Sequence, residues 1–185
     1  MPTKVKFLNE NHSVEFDYLV ARKHSKLVET LGDTCSEEED ALEVVIRPKD
    51  CVPTYKSLMA LKEYLLYFSD KTPTQFPKPL PDEIEKFASE FEKEFLIKQL
   101  GNRTTDNDNL ELLTLYQCAQ FLQMHDLVTL IAGWIASRIM GICKKYRDCM
   151  VAGEKIRDLL HLPDDWTPEE KNQLRLETAW PDDED

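Results

Sequence analysis

Residues 154–180 read EKIRDLLHLPDDWTPEEKNQLRLETAW, and their sharpest local signal is a helix start. Thr167 stands at a cap position and Pro168 at the first helical position. Glu170 completes a T-x-x-E capping box, in which each side chain satisfies a backbone N–H of the other residue. The spacing predicts a helix from about Pro168 to Trp180, stopped by Pro181. Its apolar content is thin: Leu174, Leu176 and Trp180. A helix of this length is marginal alone and needs something to dock on. Trp180, beside the acidic run Asp182 to Asp185, either meets a partner or tucks back onto its own domain.

Upstream, the periodicity predicts three more helices. The first spans roughly Leu110 to Gln123, with Leu112, Leu115, Tyr116, Ala119 and Leu122 in one stripe. The second spans roughly Asp126 to Gly141, with Asp126 as its cap. Leu127, Leu130, Ile131, Trp134, Ile135 and Ile139 form its apolar face, which Val128 and Ala132 widen, as in a helix buried on more than one side. Gly133 costs this helix about 1 kcal/mol relative to Ala, tolerable where packing is close. The third spans roughly Glu154 to Leu160, with Ile156, Leu159 and Leu160 on one side. From Leu110 to Trp180 the helices present more apolar surface than the rest of the chain is expected to cover. Such surface usually finds a partner.

The N-terminal half reads as mixed α/β. Val5 and Phe7 alternate with lysines, and Val14 and Phe16 with acids. Asn9 to His12 supplies the turn of a hairpin. A helix runs to about Leu31, with Gly32 as its stop. Ser36 to Asp40 is an acidic loop. Leu42, Val44 and Ile46 alternate as a third strand, and Pro53 opens a helix carrying Tyr55, Leu58, Met59, Leu65 and Leu66. Residues 71–82 hold Pro73, Pro77, Pro79 and Pro81 and read as a linker. A charged helix is expected from Glu83 to Leu100. Its glutamates Glu83, Glu85, Glu90, Glu92 and Glu94 alternate with lysines as on a solvated face. Gly101 to Asn109 reads as a polar, disordered loop.

The formal net charge of −12 over 185 residues argues against nucleic acid, whose binding rests on Lys and Arg neutralising phosphates, and against an anionic membrane surface. No apolar run reaches the ~18 residues of a membrane span. The five cysteines follow no metal-ligand spacing, and free thiols are the expectation. No glycine-rich phosphate loop, nucleophile motif or metal cluster is present, and glycine is scarce at 5 residues. The chain is read as non-catalytic, with no cofactor and no small-molecule substrate.

The C-terminal residues carry a family resemblance. Ile156-Arg157, then Asp165-Trp166-Thr167-Pro168-Glu169-Glu170, then Gln173, Arg175, Glu177 and Trp180 resemble the C-terminal signature of Skp1: I-R-x-x-F, N-D-F-T-x-E-E and Q-[VI]-R-x-E-x-x-W. Residues 119–124 (AQFLQM) resemble its A-N-Y-L-D-I, and residues 91–96 (FEKEFL) its W-D-x-E-F, with Phe91 in place of Trp. The resemblance implies an α+β class of fold: a BTB/POZ (Skp1-like) domain over residues 1–140, with a small three-stranded sheet packed by helices, then C-terminal helices and an acidic tail over 141–185.

It also implies a function, that of an adaptor in an SCF-type cullin-RING ubiquitin ligase in the cytoplasm and nucleus. The F-box of a substrate receptor would meet Val128, Ile131, Ile135, Ile156, Leu159, Leu160, Leu162, Trp166, Leu174, Leu176 and Trp180. For Ile131, Ile135 and Ile156, ordinary core packing is the alternative. The cullin would meet Gln120 and Phe121. Both depart from the family's Asn-Tyr, and Phe121 lacks the hydroxyl. Two segments are longer than in the family, residues 101–109 and 142–152. The second (ICKKYRDCMVA) either lengthens the helix before it or forms a new contact. Thr167-Pro168-Glu169-Glu170 also resembles a site at which some protist members carry a modified proline; a helix-start role explains Pro168 without one. An F-box-binding scaffold that engages no cullin, and a self-associating BTB/POZ scaffold, remain alternatives.

Overall fold

The computed structural model describes residues 2–34, 40–48, 52–100, 109–146 and 148–178. The expected acidic loop at 36–39, the polar loop at 101–108, Arg147, Trp180, the stop at Pro181 and the acidic tail lie outside them. The chain forms two compact units, residues 1–137 and 138–185.

The first unit begins with the expected hairpin, β1 (Lys4–Leu8) and β2 (Ser13–Asp17), paired antiparallel. Asn9 builds the turn: its Oδ1 accepts from the N–H groups of Asn11 and His12. The third strand, β3 (Ala41–Val45), pairs parallel to β1, giving the order β2-β1-β3. The alternation predicted from the sequence divides the two faces. Val5, Phe7, Val14, Phe16, Leu42 and Val44 are buried. On the other face Lys6 lies between Glu15 and Glu43 at 3.7 and 3.6 Å. These exposed ion pairs contribute little to stability, and the apolar face holds the sheet.

After β2 the structure departs from the expected single helix. There are two, α1 (Tyr18–His24) and α2 (Lys26–Thr34). The break is at Ser25, whose buried hydroxyl donates to the Leu122 carbonyl at 2.6 Å and accepts from the Val28 N–H at 3.2 Å. One side chain thus caps α2 and ties it to a residue far along the chain, which no local pattern reveals. Gly32 is not a stop. It lies inside α2 and is buried, and a Cβ there would fall 1.9 Å from the Tyr18 hydroxyl oxygen. Tyr18 is itself 1% exposed, so the ring has nowhere to retreat. Gly32→Ala is therefore expected to lower unfolding stability by about 1–2 kcal/mol, overpacking outweighing the gain in helix propensity. Urea unfolding checks this; a variant more stable than the parent would contradict the packing described.

Helix α3 (Tyr55–Tyr67) is capped by Thr54 with Ser57 in a reciprocal box, so the cap is one residue beyond the Pro53 start that the sequence implied. Its buried residues Leu58, Leu61, Tyr64 and Leu65 pack toward β2 and toward α5 (Leu110–Phe121). Residues 71–82 hold no helix or strand, as expected of the proline-rich linker. The charged helix predicted over 83–100 is interrupted. A single 3-10 turn, Ile84–Lys86, precedes α4 (Glu90–Gln99), which starts at its own Ser89–Glu92 capping box.

Glu92 is the second correction here. It is 1% exposed, not solvated. Its carboxylate accepts from Thr74 N–H and Oγ1 at 3.2 and 2.6 Å and from Ser89 N–H and Oγ at 2.8 and 2.7 Å. A buried carboxylate with four donors is satisfied, and here it pins the linker to α4.

Helix α6 (His125–Lys145) begins one residue before Asp126, so Asp126 lies in its first turn and is not the cap. By length and composition α6 is apolar enough to cross a membrane, contrary to the sequence expectation. Its first half is core: Leu127, Leu130 and Ile131 have no exposed surface and Trp134 has 4%. Gly133 is explained by close approach, since a Cβ would lie 2.3 Å from Ile84 Cδ1. Ser137 reinforces the same contact by accepting from the Ile84 N–H at 2.9 Å.

The second unit takes up the end of α6, then α7 (Cys149–Leu159) and α8 (Pro168–Thr178). The longer segment 142–152 extends α6 through Lys145 and starts α7 early, with Asp148 accepting from the N–H groups of Met150 and Val151. The sequence placed this helix five residues too late.

Candidate functional site

Of the apolar surplus expected from Leu110 to Trp180, the part in α5 and the first half of α6 is consumed by the core of the first unit. Leu112, Leu115, Cys118, Ala119 and Leu122 are buried there. In the second unit the exposure is real. Leu162, Trp166 and Leu176 are 55%, 45% and 82% exposed. Ile156, Leu159, Leu160 and Leu174 are half-buried.

The connection that carries Leu162 and Trp166 has a fixed shape. α7 ends in a Schellman motif: Leu162 N–H donates to the Arg157 carbonyl at 3.0 Å and His161 N–H to the Asp158 carbonyl at 3.2 Å. His161 takes the left-handed conformation, φ 52°, that this motif requires. Beyond the turn, Asp164 receives Arg157 Nη1 at 2.8 Å and Lys171 Nζ, so one carboxylate ties α7 to α8. Lys171, then Arg157, hold that carboxyl below its ordinary range. Lys171 also approaches Glu154 at 3.7 Å. α8 then starts at the predicted box: Thr167 Oγ1 accepts from the Glu170 N–H at 3.2 Å and the Glu170 carboxylate accepts from the Thr167 N–H at 2.8 Å. These bonds to Thr167 hold the Glu170 carboxyl below its usual range as well. Leu176 lies along α8, so the helix presents this apolar side chain to water.

Among the α6 residues expected in the same set, Val128 and Ile135 are half-buried. Ile131 has no exposed surface and packs in the core, the alternative the sequence left open for it. Trp180 lies outside the described residues.

Gln120 and Phe121 occupy the last turn of α5 in the first unit. Gln120 is exposed and Phe121 half-buried. The side chain of Gln120 is engaged, its Nε2 donating to the Tyr116 hydroxyl at 2.9 Å. This helix also ends in a Schellman motif, with Met124 N–H donating to the Ala119 carbonyl at 2.9 Å and Gln123 left-handed at φ 54°. Neither motif has the glycine by which sequence reading finds such ends. Gln123→Gly is expected to stabilise the protein by about 1 kcal/mol by relieving the positive φ, raising Tm by roughly 2–4 °C. An unchanged or lower Tm would contradict the strain assigned here.

Phe91, which stands where the family has Trp, stacks on Tyr67 with ring centroids 3.6 Å apart and planes 4° from parallel. Among the described residues no cluster of His, Cys, Asp and Glu is suited to hold a metal ion. Cys118 is buried, Cys143 and Cys149 are exposed, and none of the three is in a disulfide.

An α+β unit with a three-stranded sheet, followed by helices with exposed apolar side chains, is the architecture expected of a Skp1-like fold. Comparison with known proteins agrees. The chain is 27% identical to a protein of Tetrahymena thermophila named S-phase kinase-associated protein 1 homolog, over 183 residues that cover 96% of this chain and 93% of that one. It is 22% identical to SKP1-like protein 16 of Arabidopsis thaliana, over 93% of this chain and 91% of that one. No protein-family model matches the chain. Over nearly its full length the chain is similar to Skp1 homologues, and its α+β fold is the one that this likeness implies.

Proposed function

We propose that this protein is a non-catalytic adaptor of an SCF-type ubiquitin ligase, holding an F-box protein through its C-terminal helices and a cullin through the end of α5. The observation that carries the reading is the exposure of Leu162, Trp166 and Leu176 in the second unit of a chain similar to Skp1 homologues. Two large apolar side chains held in water by a pinned connection, with a third on α8, fit helix-in-groove recognition, in which aromatic anchors supply most of the affinity. Val128, Ile135, Ile156, Leu159, Leu160 and Leu174 supply flanking contacts, and Trp180 a further anchor. The division of labour follows the boundary near residue 140: a BTB/POZ-like domain before it, the F-box-binding helices after it. The acidic charge favours protein partners over nucleic acid or membrane.

A second reading, F-box binding without a cullin, rests on Gln120. Its amide is already bonded to Tyr116, and a cullin would have to replace that bond, at a cost of about 1 kcal/mol. Pairwise co-purification separates the two readings. Capture of both an F-box protein and a cullin N-terminal domain supports the adaptor; capture of the F-box alone supports the scaffold. Restoring the family's residues in the double variant Gln120→Asn, Phe121→Tyr is expected to strengthen cullin binding by about 1 kcal/mol, roughly fivefold, and to leave F-box binding unchanged. Titration calorimetry with each partner reads both values, and an unchanged cullin affinity would place the contact elsewhere.

A further inference from the structure

A groove of about 550 Å³ runs between α3 and α4 on the first unit, apart from every residue assigned to the F-box or the cullin above. Its apolar surface comes from Met59 and Leu66, which are 40% and 59% exposed, and from the stacked pair Tyr67 and Phe91. Met59 and Leu66 lie seven residues apart, two turns along one face of α3, which is the spacing at which a docked helix meets a groove.

The charge around the groove is inverted relative to the rest of the protein. Lys56, Lys62 and Lys98 line it against a single carboxylate, Glu63, in a chain of net charge −12. Glu63 is itself neutralised by Lys98 at 2.6 Å. Beside the aromatic end, Lys71 sits 3.7 Å over the Tyr67 ring and adds a fourth cation. An apolar floor with a basic rim, on an otherwise acidic surface, selects for the opposite pattern in its occupant.

We propose that this groove docks an acidic amphipathic helix of a partner protein, whose apolar face covers Met59, Leu66 and the Tyr67–Phe91 stack while carboxylates on its flanks meet Lys56 and Lys62. The proposal goes beyond the adaptor reading and stands or falls separately from it.

The test uses the full chain, labelled with 15N, and two stapled model helices that share one leucine face, one flanked by glutamates and the other by lysines. Amide shifts map where each peptide binds. The glutamate peptide is expected to shift residues of α3 and α4 around Met59 and Lys98. The lysine peptide is expected to bind at least about tenfold more weakly, and Lys56→Glu with Lys62→Glu to weaken the glutamate peptide by about tenfold. Both substitutions are on the surface, and the spectrum of the free variant reports its fold. Equal binding of the two peptides, shifts confined to other elements, or no shift at millimolar peptide would overturn the proposal. So would concentration-dependent broadening of α3 and α4 without peptide, which would give the groove to a second copy of this chain. An F-box capture unchanged in the double variant is expected, because the groove serves a different partner.

Discussion

Replacing Glu92 with alanine is expected to destabilise the protein by about 3 kcal/mol. The reason is the number of groups it leaves behind. Four donors from Thr74 and Ser89 converge on this carboxylate, which is 1% exposed. A hydrogen bond to a charged acceptor contributes roughly 1.5–3 kcal/mol, and each buried donor left without a partner costs roughly 1–3 kcal/mol. The linker relaxes and water rehydrates some of these donors, which keeps the total near the middle of those ranges. Glu92→Gln is expected to recover only part of the loss, because its amide turns an N–H₂ toward donors. Urea unfolding measures the effect. Limited proteolysis gives a second readout: cleavage within residues 71–82 should accelerate in both variants. A stability change below about 1 kcal/mol would mean that Thr74 and Ser89 find other acceptors.

Trp166→Ala is expected to weaken F-box binding by roughly 2 kcal/mol, about thirtyfold. Trp166 is held ready and not buried. It is 45% exposed, and the connection that carries it is fixed by the Schellman turn at His161 and by Asp164 bridging Arg157 and Lys171. A side chain already held before binding loses less entropy on docking, which is how a few aromatic anchors come to dominate an interface. The substitution removes little from the fold, so the urea midpoint should stay unchanged while affinity falls. Leu176→Ser should act in the same direction with a smaller effect. An affinity loss under about threefold at Trp166 would move the anchor elsewhere on the second unit.

What could be read in the sequence was whatever local spacing encodes. The hairpin followed from alternation and from the turn at Asn9. The start of α8 followed from Thr167, Pro168 and Glu170, whose reciprocal bonds lie within four residues. The fold class and the family resemblance rested on such stretches. Most of the misses share one physical cause: the deciding partner was distant in sequence. Gly32 read as a helix stop because a cap and a close approach both call for glycine, and only the Tyr18 ring distinguishes them. Ser25 splits a helix through a carbonyl at Leu122. Glu92 looked like one more acid on a solvated face until Thr74 folded against it. The exposed apolar residues divide the same way. The resemblance put both Ile131 and Trp166 in the F-box set, Ile131 with core packing as its alternative, and packing sends Ile131 into the core and leaves Trp166 in water. The ends of α5 and α7 were legible to within two residues, but their Schellman turns were not, because His161 and Gln123 fill positions where the usual signal is glycine.

The most direct test of the adaptor reading is reconstitution of this chain with an F-box protein and a cullin N-terminal domain, followed by size-exclusion chromatography with light scattering. The account predicts a single peak with the mass of all three chains, which loses the F-box protein on Trp166→Ala and loses the cullin on disruption of Gln120 and Phe121. Separate elution of all three, with the chain folded, would contradict it.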